Sequence, residues 1–189
     1  MNRIVESIIV GQERAGEYDL RLLVLTPNGT ERLSAIGILR PTAKLRGALQ
    51  LFNHVELTTY GRKITGAHVI RDNTGVSRDI NRFYLASSIS DTLGRLMRDA
   101  DECAEIFILA NGTLASLSGT DTSCYKLFIH FYYNLLRMLG YSAGEREEDF
   151  KDLDHIELGL TRAKKMVSVL RLAYAENLEF KIPLAEHFA

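Results

Sequence analysis

The sequence predicts an α+β chain in which a small barrel of five strands precedes a run of helices. Two observations point there. Apolar residues alternate with period two up to about residue 70, then recur with period 3.6 from about residue 80. Gly, Pro and Asn punctuate the first stretch at short intervals, as hairpin turns require. The 189 residues suffice for one domain or two small ones, and 46% hydrophobic with 25% charged residues is ordinary for a globular protein.

The first strand is expected near Ile4–Val10, where Ile4, Glu6, Ile8 and Val10 alternate with Val5, Ser7 and Ile9. Leu20–Leu25 is the second. Pro27-Asn28-Gly29 supplies a turn, and Arg32–Leu39 returns as the third. Arg40–Gly47 reads as a loop or a single helical turn. Phe52–Tyr60 is the fourth strand, broken by Gly61, and Ile64–Ile70 is the fifth. Five short strands in this space fit an OB-fold.

Helical stripes come next. Leu85, Ile89, Leu93 and Leu96 make the first, and Ile106, Ala110, Leu114 and Leu117 the second. Phe128, Phe131, Tyr132, Leu135, Leu136 and Leu139 make the third, with Asp121, Thr122 or Ser123 as its cap and Gly140 as its stop. Ala163, Met166, Val167, Leu170 and Ala173 make the fourth, with Thr161 as the expected N-cap. The expected organisation is an OB-fold unit over 1–78 and a helical unit over 79–189. With no Pro- or Ser-rich linker between them, the two should pack together.

No apolar run approaches the roughly 20 residues that span a bilayer, and Met1–Glu6 does not read as a signal peptide. A cytoplasmic protein with no membrane contact is expected. Cys103 and Cys124 form no C-x-x-C pair, so no structural zinc site is predicted, and both are expected as buried thiols. No nucleophile elbow, phosphate loop or His-Glu metal motif occurs. No enzyme activity, metal or cofactor is therefore expected.

Charge is uneven. Residues 1–80 hold 11 Lys and Arg against 8 Asp and Glu, a net of +3, whereas residues 81–189 hold 12 against 16, a net of −4. Arg40, Lys44 and Arg46 place three cations within seven residues, which suits phosphate neutralisation and counterion release. Arg62 and Lys63 sit at the fourth turn, and Arg14 in the first inter-strand loop. Tyr60 and Tyr18 are candidate stacking platforms for bases, and Phe52 reads as core. A solvated loop and ordinary polar turns remain the alternative for these residues. Glu145, Glu147, Glu148, Asp149, Asp152, Asp154 and His155 form an acidic segment. It reads as a hard-cation site, a partner contact or a solvated connection.

The stretch from Arg32 to Phe52 carries a strand, a basic loop and Gly47-Ala48-Leu49-Gln50-Leu51-Phe52. It resembles the signature of the RecO family of bacterial recombination mediators, with Leu51 where that family has proline. Tyr18-Asp19-Leu20 upstream fits too, as does the helix ending Leu139-Gly140-Tyr141, so order and spacing agree over about residues 3–141. The resemblance implies an N-terminal OB-fold and a helical C-terminal domain. It implies binding of single- and double-stranded DNA, annealing of complementary strands, and partnership with RecR and the acidic tail of single-stranded-DNA-binding protein in the service of RecA loading.

The sequence departs from the family in two places. A four-cysteine zinc site is common after the Leu-Gly-Tyr helix, but Ser142–Asp149 holds no cysteine. Ile129 and His130 stand where a basic pair often precedes the phenylalanine. That leaves His130, Phe131 and Arg137 as candidate partner contacts. Two alternatives stand beside the mediator reading. One is a protein-interaction adaptor of the same fold with weak or no DNA binding. The other is a metal-dependent nuclease using the Asp149–His155 region.

Overall fold

The computed structural model describes residues 2–97, 103–119, 123–144, 148, 150 and 158–183. Five strands come first: β1 (Asn2–Arg14), β2 (Leu20–Thr26), β3 (Gly29–Ala35), β4 (His54–Tyr60) and β5 (Lys63–Arg71). A 3-10 turn (Thr74–Arg78) leads to α1 (Ile80–Leu96), α2 (Cys103–Ser118), α3 (Cys124–Met138) and α4 (Leu160–Leu178). The strands close into a barrel in the order β1-β2-β3-β5-β4. All pairings are antiparallel except β3 with β5, joined in parallel through Ser34 and Lys63. This is the five-stranded barrel of the OB-fold, and with the helices it gives the α+β class that the change of period predicts.

β1 is long because it serves two cores. Its register on β2 shifts by a bulge between Ile9 and Gly11, and before it the strand alternation sends consecutive residues to opposite sides. Ile9 enters the barrel interior with Leu22, Val24, Leu33, Val55 and Leu57. Ile8 and Val10 turn outward and join Leu25, Phe52 and the helices in a second, larger core. Burial of such side chains contributes about 1.5–3 kcal/mol each, so the outward residues of β1 tie the barrel wall to the helices.

Several strands run longer than the sequence reading, and three boundary differences change where a side chain lies. The third strand, expected to continue to Leu39, stops at Ala35, because Gly37 takes a positive φ of 69° and its N–H is captured by the Asp19 carboxylate at 2.6 Å. Ile36 is left exposed, whereas Ile38 and Leu49 plug the barrel. β4 begins at His54 rather than Phe52. Phe52 sits at φ 71° with its N–H donated to the Ile9 carbonyl at 2.8 Å, so it is buried as expected but lies in a turn. Arg14 ends β1, opposite Leu20, instead of lying in the loop.

The helices bury the expected stripes, except that Leu96 and Leu139 are only half-buried. Tyr132 lies at the centre of the bundle. Its hydroxyl meets Ser88 Oγ at 2.6 Å and Thr92 Oγ1 at 2.9 Å, and its carbonyl accepts from Tyr174 Oη at 2.9 Å. Burial pushes both phenols well above the ordinary tyrosine range, so they stay protonated donors. Ser123 caps α3 without a side-chain bond. The cap of α4 is Gly159 rather than Thr161, so α4 starts two residues earlier than Thr161 would place it. Cys103 is buried, but Cys124 is only half-buried, a correction to the expectation of two buried thiols. Partial burial still pushes its thiol up.

Besides the shared core, hydrogen bonds and ring contacts fix the barrel, the segment after β5 and the helices to one another. The Asn73 N–H donates to Asn53 Oδ1 and its Nδ2 to the Phe52 carbonyl, both at 2.9 Å. His54, bonded to Glu6 at 2.8 Å, packs edge-on against Phe107 of α2. The Met97 carbonyl after α1 accepts the N–H and hydroxyl of Thr30 at 3.4 and 3.2 Å.

Candidate nucleic-acid interface

The barrel gathers three chain turns at one end. The β1–β2 turn is closed by the Ala15 N–H on the Asp19 carbonyl. The Leu39 N–H donates to the Tyr18 carbonyl at 2.9 Å, so the segment after β3 lies against that turn. The Ser34 N–H donates to the Arg62 carbonyl at 2.7 Å, so the β4–β5 turn meets the end of β3. In an OB-fold the β1–β2 and β4–β5 loops flank the β2–β3 face, which is where oligonucleotides bind.

Arg40 is exposed, with its guanidinium 5.4 Å from the centre of the Tyr18 ring. That cation-π contact holds both side chains at the surface. The Tyr18 phenol is raised, chiefly by its hydrogen bond to Glu17. Arg62 and Lys63 are exposed beside Ser34, and Tyr60, 62% exposed, pairs directly with Lys63 across the β4–β5 ladder. Lys44 and Arg46 lie farther along the barrel plug, with the intervening Leu45 turned partly into the core. Backbone bonds from Ala43 to the Arg40 carbonyl and from Arg46 to the Ala43 carbonyl fold this segment back on itself. The structure therefore brings Arg14, Tyr18, Arg40, Tyr60, Arg62 and Lys63 to neighbouring turns, and leaves Lys44 and Arg46 on the adjoining segment.

Two cations were missed. Arg21 pairs with Ser34, and Arg32 pairs with Leu23, on the outward side of β2 and β3. Both lie on the face that the two loops flank. Arg21 has Glu13 at 3.7 Å, whereas Arg32 has no partner among the described residues. The signal was present: each stands beside a barrel-facing leucine, Leu22 or Leu33, and so must point outward.

A family model described as "Recombination protein O C terminal" matches residues 77–143. The DNA repair protein RecO of Roseiflexus sp. (strain RS-1) is 29% identical over 144 residues, covering 72% of this chain and 49% of that protein. The DNA repair protein RecO of Heliobacterium modesticaldum (strain ATCC 51547 / Ice1) is 30% identical over 144 residues, covering 72% and 50%. The chain belongs to the RecO family. It spans about half the length of the curated relatives it matches. The RecO match over 77–143 takes in α1 to α3. The basic stretch from Arg32 to Phe52, which carries the resemblance in sequence, lies before it.

The helical part of this RecO-family chain has a mainly apolar groove between α2 and α3, a cavity of about 640 Å³. Ile108 and Leu109 line it on one side, Lys126, Leu127 and His130 on the other. Of the three partner-contact candidates, His130 lines this groove. Arg137 is exposed and lies 5.8 Å from the Tyr133 ring centre. Phe131 is fully buried, so it supports α3 from inside and offers no surface. Most of the acidic segment, including Asp149 and His155, lies outside the described residues. No helix among the described residues is long and apolar enough to cross a membrane.

Proposed function

We propose that the chain acts in DNA repair and recombination by binding DNA, without covalent chemistry and without a cofactor. The barrel unit, residues 1–78, holds phosphate backbones through Arg40, Lys44, Arg46, Arg62 and Lys63, with Arg14 at the edge and Tyr60 and Tyr18 as stacking surfaces. Neutralising two strands on such a surface lowers their repulsion and favours annealing. The helical unit, residues 79–189, supports the barrel and contacts protein partners: RecR, and the acidic tail of single-stranded-DNA-binding protein at the α2–α3 groove beside His130. Through these it aids RecA loading.

The observation that carries this reading is the meeting, at one end of an OB-fold barrel, of the Tyr18 turn with two cation-bearing segments, that of Arg40 and that of Arg62 and Lys63. Counterion release from phosphates then supplies affinity. An adaptor that binds RecR with little DNA affinity is the second reading, favoured by the apolar α2–α3 groove.

Fluorescence anisotropy of a labelled single strand across a salt series tests both. Wild type should bind with a steep negative slope of log K against log salt. Arg40→Ala/Lys44→Ala/Arg46→Ala should flatten it by about 2, at roughly 0.7 per lost phosphate contact. If wild type fails to bind at low salt, the adaptor reading replaces the mediator reading. If the triple variant binds as wild type does, the segment from Arg40 to Arg46 is not the DNA contact.

A further inference from the structure

α1 presents two different faces. Leu85, Ile89 and Leu93 enter the helical core. Ser87, Ser90, Asp91, Gly94 and Arg95 recur at helical spacing on another face, and all five line a cleft between α1 and the outer wall of the barrel. The barrel side contributes apolar Leu23, Leu51 and Phe52, and polar Gln12 and Arg32. A polar, small-residue face opposite a barrel is an unusual way to pack a helix, because it leaves space that a hydrophobic stripe would fill. The space here is about 410 Å³, inside the range of about 300–1,000 Å³ for small-ligand sites.

The helix cannot close this space by moving inward. A Cβ at Gly94 would already lie 2.8 Å from Leu23 Cδ2, and the Met97 carbonyl is tied to Thr30. Two groups lining the cleft lack partners among the described residues. Ser90 is 4% exposed and its hydroxyl has no hydrogen bond, in contrast to Ser88 and Thr92, which Tyr132 satisfies. A buried hydroxyl without a partner is costly and calls for a reason. The second is Arg32, whereas Arg95 is held by Asp91 at 3.0 Å. Arg32 also lies two residues before Ser34 on the same outward side of β3, so the cleft continues the surface that begins at Arg62.

We infer that this cleft receives one nucleotide of a bound DNA strand. The base lies in the cleft beside the serine face of α1, its polar edge reaches Ser90, and its phosphate sits on Arg32. The inference rests on the DNA-binding reading and gives it a base-holding subsite. Apolar walls suit the faces of a base, a buried hydroxyl suits its edge, and a cation suits its phosphate.

The test compares oligo-dT with an abasic strand of equal length and charge, using the full chain. Wild type should prefer oligo-dT by about fivefold or more, the scale of one stacked base. Ser87→Leu, which fills the cleft, should lower that ratio by about fivefold or more, the share of one stacked base, while keeping the salt slope. Arg32→Ala should flatten the slope by about 0.7. A ratio retained in a folded Ser87→Leu protein overturns the subsite and leaves DNA binding intact. If circular dichroism shows that Ser87→Leu does not fold, Arg32→Ala decides, and an unchanged slope overturns the subsite. Absence of wild-type binding at low salt removes the DNA-binding reading and the subsite together.

Discussion

The loop end of the barrel and the centre of the helical bundle use similar residue types to opposite ends. In the bundle, Tyr132 is buried with its hydroxyl shared between Ser88 and Thr92 and its ring against Phe128, Phe131 and Tyr174. At the barrel, Tyr60 stands 62% exposed beside Lys63, and Tyr18 meets Arg40 at the surface. Polar groups around Tyr132 are satisfied internally, while those on the barrel face have capacity left over. Buried satisfaction gives stability, and exposed cations give little. The two regions should therefore answer to different measurements.

The largest effect expected is Phe128→Ala. Phe128 is fully buried in α3, with its ring centre 4.4 Å from that of Tyr132. Truncation should cost about 3–5 kcal/mol in chemical denaturation. Any folded fraction should keep the wild-type salt slope for DNA. A lost slope in folded protein would show that the two regions are not separable.

Tyr132→Phe comes next. It keeps the ring and removes the hydroxyl that Ser88 and Thr92 share. About 1–3 kcal/mol of stability should be lost, again with DNA affinity unmoved. A neutral result would mean that the two hydroxyls find other partners, and that the hydroxyl network is not what holds α1 to α3.

The barrel face should give the converse result. Arg62→Ala/Lys63→Ala touches two exposed residues without ion pairs among the described residues. Stability should change by no more than about 0.5 kcal/mol. The salt slope should flatten by about 1.4 for two phosphate contacts. An unchanged slope would remove the β4–β5 turn from the interface.

Legibility in the sequence divides along the same line. Strand alternation and helical stripes report local burial, so Ile9, Leu22 and Val24, or Phe128 and Leu135, could be assigned from the chain alone. Ile36 and Ile38 misled, because an apolar alternation continued past the point where Gly37 turns the backbone. Phe52 misled in the same way, since positive φ at a non-glycine residue leaves no local mark. The cations on loops could be named as candidates from the chain alone, whereas Arg21 and Arg32 could not, because a strand face becomes a candidate only once its flanking turns are known to meet. Those meetings, Ser34 with Arg62 and Leu39 with Tyr18, join residues distant in sequence and rest on backbone groups. The cleft beside Ser90 depends likewise on where α1 docks.

The smallest prediction lies at the junction of the two regions. Asp72 comes just after β5 and accepts the Thr74 N–H at 2.9 Å and its hydroxyl at 2.6 Å, at the start of the 3-10 turn. The Thr74 hydroxyl, then its N–H, hold the Asp72 carboxyl below the ordinary carboxylate range. The unfolded state therefore binds this proton at a higher pH than the folded state does. The associated stabilisation is complete above the ordinary aspartate pKa and is lost as pH falls through the depressed one. Asp72 is exposed, so solvent keeps the effect slight. Asp72→Ala should lower stability slightly at neutral pH and have less effect in strong acid, measured by thermal melts across an acid series. A destabilisation independent of pH would instead mean that the turn depends on the shape of the Asp72 side chain rather than on its charge.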